Sequence, residues 1–249
     1  MASGRGAIVS AASVCLPPLV CHDRAVTVIN FHIAEHGVFI VADTLVTGPT
    51  YQPAFFTTKV HPVPHWNGII CGTGSLGLIT DWLHRALGGM LALDLIHLDE
   101  FTPATLRDLH AVRGRQEAEA CTTTIYHFGY DRADDAFKGY AYRSTNGFES
   151  EVLEYGTYTK PGIDLGSRSV EQFPNDFVAV CRDQRDEQDA LVAEDRVFIG
   201  GQIIAWMMER VEIEGVGPTA RTTIVPAFEF ADIENAFAAC VDRLSASLE

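Results

Sequence analysis

Three side chains near the start of the chain carry the groups that nucleophilic chemistry requires. Thr27 opens the apolar stretch "TVINFHIA", Asp43 interrupts "GVFIVADTLVTG", and Lys59 is the lone charge in "FFTTKV". A threonine hydroxyl attacks a carbonyl only when something takes its proton. The α-amine of the same residue can do so if it is free, because its ordinary pKa is about 7.7 to 8.0. A nearby lysine lowers that pKa further, and a carboxylate orients the group. An aspartate within an apolar strand is costly unless paired, so a buried cation is expected beside Asp43, and Lys59 is the candidate.

For these groups to meet, the chain must turn back on itself. Residues 27 to 34 and 37 to 44 are rich in β-branched and aromatic residues, and "EHG" between them suits a tight hairpin. In that hairpin, positions whose numbers add to roughly 71 face each other, which brings Asp43 and Thr44 beside Thr27. Strands are also expected over "FFTTKVHPV" (55 to 63) and "NGIICGTG" (67 to 74), so that the first half reads as a run of antiparallel strands.

Beyond Ser75, a plausible N-cap, Leu76, Ile79, Leu83 and Leu87 recur at helical spacing, and "TPATLRDLHAVRGRQEAEA" predicts a second helix opened by Thr102 and Pro103. These two helices are expected to stack on the first sheet. "CTTTIYHFGYD" and "AFKGYAYRST" read as a hairpin whose sheet "FESEVLEYGTYT" continues. "NDFVAVCRDQRDEQDALVA" reads as helix, with "RDQRDEQD" on a solvated face. "RVFIGGQIIAWMMERVEIEG" reads as strand, glycine break and strand, with "TARTTIVPAF" as the return. A closing helix carries Ile233, Phe237, Cys240 and Leu244 on its apolar face. The pattern predicts a layered α+β domain with helices covering both sheets.

The Thr27, Asp43 and Lys59 pattern resembles the catalytic β-subunit of the proteasome and its bacterial relatives, the N-terminal-nucleophile (Ntn) hydrolases. In that family a threonine opens the first strand, a block like "GVFIVADT" forms the second, and an isolated lysine follows. Asp43 lies 16 positions and Lys59 32 positions after Thr27, as in the family pattern. The resemblance implies a four-layer αββα sandwich with two antiparallel sheets between helices, and hydrolysis of a peptide or small amide with no cofactor. It further implies an oxyanion-binding amide at Gly72 or Gly74 of "IICGTG". It makes Thr47 the place where an extended peptide adds as a strand, with Val46, Thr57 and Cys71 near the side-chain pocket. Asp195 of "DRVFIGGQI" stands near the family's late aspartate, one position early, and Ile199 stands where the family has serine. Val26 precedes the threonine where self-processing members carry glycine.

Residues 1 to 26 read as a leader, a propeptide, or sequence upstream of the true start, since a valine codon at Val26 can serve as a bacterial start; residues 27 to 249 then form one domain. The formal net charge of -15 disfavours a nucleic-acid partner, and no apolar run is long enough to span a membrane. Six cysteines without a C-x-x-C pair read as thiols of a reducing cytoplasm. His61, His65 and Cys71 lack the spacing of a metal site, Cys121 reads as a strand thiol, and "IGGQ" as a strand break. Helical faces such as residues 76 to 96 could serve contacts in a homo-oligomer. Singly, each key residue has a plainer role: Thr27 as a β-former, Asp43 as a turn cap, Lys59 as a side chain reaching for water. The alternative to a hydrolase is a non-catalytic proteasome-like subunit whose Thr27 is never freed.

Overall fold

The computed structural model describes residues 27–48, 51–114, 122–166, 170–193 and 195–246. The stretch expected as a leader lies outside them, as do Val26, Cys15, Cys21 and Cys121. The predicted hairpin is present as β1 (Ile29–Ala34) and β2 (Gly37–Asp43), turning at Glu35 and His36, with Ile29 opposite Ala42. Its register is the one expected, because alternate residues must reach two different apolar surfaces. Ile29, Phe31 and Ile33 face the second sheet, while Val28 and Val41 face a helix on the other side. A strand buried on both faces shows no polar alternation, which is why "VFIVA" is continuous.

The remaining strands are β3 (Leu45–Thr47), β4 (Pro53–Phe56), β5 (Val60–Val63), β6 (Gly68–Thr73), β7 (Thr124–Asp131), β8 (Ala136–Arg143), β9 (Ser150–Val152), β10 (Gly156–Lys160), β11 (Gln202–Ile213) and β12 (Gly217–Glu229). One five-stranded sheet runs β10-β1-β2-β11-β12 and the other β5-β6-β7-β8-β9, all neighbours antiparallel, with β3 and β4 as a separate pair. Between the sheets, the Phe31 ring packs 4.8 to 5.2 Å from those of Tyr126, Phe128 and Tyr158.

The helices are α1 (Leu76–Gly89), α2 (Leu95–Asp99), α3 (Thr102–Arg113), α4 (Asn175–Asp189) and α5 (Ile233–Ala246). Ser75 caps α1 as expected, its Oγ accepting from Leu78 N at 3.2 Å. Helices α1 to α3 cover the outer face of the β5 to β9 sheet, through Trp82, Leu95, Leu98 and Leu106 against Ile70, Ile125 and Tyr142. On the other side, α4 covers the hairpin sheet through Phe177 and Cys181. The α+β class and the helix, sheet, sheet, helix layering expected from the sequence are therefore present.

Several local expectations are corrected. The first-half strands divide between the two sheets, so α1 and α3 rest on the sheet that lacks the hairpin. "FFTTKVHPV" breaks into β4 and β5, because Thr57 N turns aside to Thr44 O (2.9 Å) and Lys59 is drawn inward. On α1 the buried stripe is Leu78, Ile79, Trp82 and Ala86, and Leu87 is 52% exposed. Trp82, which donates its indole N–H to the buried His127 at 3.0 Å, sets that rotation. Thr102 lies inside α3 rather than at its cap. "FESEVLEYGTYT" crosses from one sheet to the other as β9 and β10. Residues 196 to 200 form no strand. On α5 the helical period is right but the burial is not: Cys240 is buried, whereas Phe237 and Leu244 are 60% and 42% exposed.

Candidate active site

Asp43 ends β2 at the edge of the apolar core, where its own strand delivers it to the residues preceding β1. Its Oδ1 accepts from Val28 N at 3.3 Å and from Lys59 Nζ at 2.6 Å, and its Oδ2 accepts from Gly200 N at 3.2 Å. Lys59 also donates to Leu45 O at 2.6 Å. The Lys59 and Asp43 side chains are 4% and 0% exposed. Two of the three ammonium hydrogens are thus engaged, which leaves a third for the cavity that Lys59 lines. Burial pushes the Lys59 ammonium below the ordinary lysine range against the pull of Asp43. Burial likewise pushes Asp43 up, opposed by Lys59 and the two amides.

Thr27, Val46, Lys59, Gly72 and Gly74, five residues singled out in the sequence, line one cavity of about 30 Å³, room for about two water-sized groups. Thr27 is 7% exposed. Gly72 lies in the β6 ladder opposite Ile125, and a Cβ there would come within 2.9 Å of Thr124 O. Gly74 follows the last ladder pair with φ +100°, and its Cβ would lie 2.1 Å from Thr122 O. Neither position tolerates a side chain, so the backbone stays open to whatever enters the cavity.

Other candidates fall elsewhere. Thr47 pairs with Pro53 in the small sheet. The Thr57 hydroxyl turns to Thr58 O (3.4 Å), and Cys71 is enclosed in the core between the sheets with its thiol pushed up by burial; neither lines the cavity. Asp195 is exposed in a turn closed by its N–H to Val192 O (2.9 Å), outside the cavity lining. Ile199 is packed among Val28, Val41 and Phe177, an apolar site with no place for a hydroxyl role.

His61, Leu76 and Ile79 complete the lining and were not foreseen as wall residues. Weighed as a metal ligand, His61 is instead a half-buried wall residue whose imidazole burial holds below its usual pKa. His65 packs against the Trp66 ring, 4.6 Å away. "IGGQ" proves more than a break. Gly200 supplies the amide to Asp43, and Gly201, at φ +75°, passes so close to Thr44 that a Cβ would meet its Oγ1 at 2.4 Å. The same Thr44 Oγ1 accepts from Gln202 N at 2.9 Å. Two adjacent glycines thereby dock the start of β11 onto the end of β2. A hydroxyl, a buried cation held by a carboxylate, and open glycine backbone around one recess suit attack on a carbonyl.

No family model matches the sequence, and no curated protein matches it significantly. Solved structures do resemble its fold. A Gly-1 mutant of Anbu from Hyphomicrobium sp. strain MC1 aligns with a TM-score of 0.54 at 14% identity, over 89% of this chain and 96% of that one. Anbu (ancestral beta-subunit) from Yersinia bercovieri aligns with a TM-score of 0.53 at 9% identity, over 89% and 96%. A second Hyphomicrobium Anbu structure gives 0.50 at 13% identity, over 90% and 98%. The layered sandwich is thus similar to the proteasome-like fold of these proteins.

Proposed function

We propose that the chain is a bacterial proteasome-β-like Ntn hydrolase that cleaves a peptide or small amide through Thr27. The observation that carries this reading is the Lys59–Asp43 pair at 2.6 Å, closed off from solvent, whose Lys59 lines the recess of Thr27. Such a pair does little for stability compared with apolar residues of the same volume, so its placement beside a hydroxyl favours a chemical use.

In this mechanism Thr27 Oγ attacks the carbonyl carbon while its proton passes to the free α-amine of the same residue. An amide of the Gly72 to Gly74 segment receives the oxyanion, and the amine then protonates the leaving nitrogen as the C–N bond breaks. Water attacks the resulting ester and restores the hydroxyl. Lys59, pushed down by burial yet held by Asp43, provides the positive field that keeps the α-amine neutral enough to act as base. The beta-subunit description of the Yersinia relative favours a homo-oligomer. Among the described residues no helix is long and apolar enough to cross a membrane.

A non-catalytic subunit is the second reading, and the apolar setting of Ile199, where the family pattern has serine, favours it. Hydrolysis of a panel of peptide and small-amide substrates by the native chain and by Thr27→Ala, with the intact mass of the natural protein, separates the two. The hydrolase reading expects a mature N-terminus at Thr27 and activity lost in the variant. Equal hydrolysis by Thr27→Ala removes the threonine from the mechanism, and a chain that begins before Thr27 and cleaves nothing supports the second reading.

A further inference from the structure

Among the described residues Lys160 is a cation without a carboxylate, in a strongly acidic chain. Its amine donates to Thr124 Oγ1 at 3.0 Å, and no ion pair reaches it among the described residues. Several other half-buried cations are matched: Arg143 with Glu151, Lys138 with Asp131 and Asp134, Arg185 with Asp232. Burial, together with Arg143 of the same sign, pushes the amine down to about 8.

Strand register places this group at the start of β1, the strand that Thr27 precedes. Lys160 sits directly opposite Ile29, two residues along from Thr27, and Ile29 faces the second sheet. Directly paired residues share a face, so Lys160 also enters the space between the sheets, where it meets Thr124. Thr124 is paired with Thr73, which lies between the cavity-lining Gly72 and Gly74. Thr73 points the same way as Cys71, two residues before it in the intersheet core. Its Oγ1 is buried without a hydrogen-bond partner, in a residue 1% exposed. β10 and β2 flank β1 on opposite sides, so Lys160 and Asp43 stand on opposite sides of the strand that Thr27 precedes.

The position of Lys160 is fixed from outside the sheet. Asn30 Oδ1 accepts from Lys160 N at 3.1 Å, and the buried Gln184 of α4 exchanges hydrogen bonds with Asn30 (2.7 and 3.1 Å) while its amide also donates to Pro161 O. An amide lock of this kind is a costly arrangement merely to hold an edge strand.

We propose that Lys160, Thr124 and Thr73 form an anion subsite beside Thr27 that takes a carboxylate of the substrate. All three groups have hydrogens to give. The ammonium keeps two, the Thr124 hydroxyl accepts from Lys160 and so has its own proton to donate, and the Thr73 hydroxyl is unengaged. An ionised carboxylate is acceptor-only and supplies what each of them lacks. It also offsets the repulsion between Lys160 and Arg143. The meaning of the subsite for specificity rests on the hydrolase reading, and it then favours acyl groups that carry an acid near the scissile amide. Its binding of an anion does not rest on that reading.

Titration of the full chain with glutarate, with uncharged glutaramide as the counterpart, tests the subsite by isothermal calorimetry or NMR shifts. Glutarate is expected to bind in the millimolar range and at least tenfold tighter than glutaramide. Lys160→Met is expected to weaken glutarate at least tenfold. Thr73→Val, which keeps the shape and removes only an unpartnered hydroxyl, is expected to fold as the native chain does and to weaken it several-fold. Thr27→Ala is expected to bind as the native chain does. Glutarate and glutaramide binding alike, unchanged affinity in Lys160→Met or Thr73→Val, or no binding at tens of millimolar overturns the subsite. Because Thr27→Ala retains the anion, loss of the hydrolase reading leaves this result standing, and failure of glutarate to bind leaves that reading intact.

Discussion

Lys59 Nζ lies 2.6 Å from Asp43 Oδ1, with neither side chain appreciably open to water. The carboxylate is further held by main-chain amides of Val28 and Gly200, so the pair ties the N-terminal hairpin to the start of β11. Removing one member strands a buried charge. Lys59→Met is expected to destabilise the fold by about 3 to 5 kcal/mol, and Asp43→Asn combined with it to recover part of that loss. Denaturant unfolding of the single and double variants checks this, and a double variant no more stable than Lys59→Met would contradict the coupling.

Gly201 occupies φ +75° against Thr44 Oγ1. Gly201→Ala combines an unfavourable backbone conformation with a 2.4 Å clash, and a loss of more than about 1 kcal/mol is expected. Because the neighbouring Gly200 amide holds Asp43, the hydrolase proposed above is expected to lose activity more steeply than stability. Measured kcat/KM beside the unfolding free energy reads both.

His127 is fully buried, accepts the Trp82 indole N–H, and is held down at about 3 by burial, against an ordinary 6.5. The unfolded chain takes up its proton near 6.5 and the folded chain does not. Its contribution is therefore fully present above 6.5 and is lost as the pH falls toward 3. Between these values the slope approaches about 1.4 kcal/mol per pH unit. His127→Gln keeps an acceptor for Trp82 without titrating in this range. A stability profile from pH 7 to 4 is expected to flatten in the variant, and an identical slope would exclude His127 as its source.

Phe237 and Trp82 both stand at apolar helical positions, yet Phe237 is 60% exposed and Trp82 fully enclosed. Phe237→Ser is expected to change monomer stability by no more than about 0.5 kcal/mol, whereas Trp82→Ala is expected to cost about 3 to 5 kcal/mol. Thermal unfolding at low protein concentration compares them directly. A large loss in Phe237→Ser would return α5 to the core.

Within the chain alone, short-range signals were legible. β-branched and aromatic runs on either side of a tight turn specified the β1–β2 register, which in turn required Asp43 to return toward Thr27, and Ser75 marked the start of α1. Lys59, the lone charge of an apolar stretch, was legible as the partner of Asp43. These succeed because hairpin geometry and helix capping depend on neighbours a few residues apart, and because a buried carboxylate must find a cation.

What only tertiary structure decided lies between segments distant in sequence. The division of strands between two sheets, the buried stripe of α1 and the exposure of α5 depend on which apolar surface each element meets, and periodicity names a face without naming its partner. The Gly200 amide on Asp43 joins residues 157 positions apart, and only when the sheets stack does His61 reach the cavity and Lys160 reach Thr124. Their side chains carry no local pattern. Packing alone gathers Lys59, Gly72 and Gly74 around the cavity that Thr27 lines and brings Lys160 to Thr124.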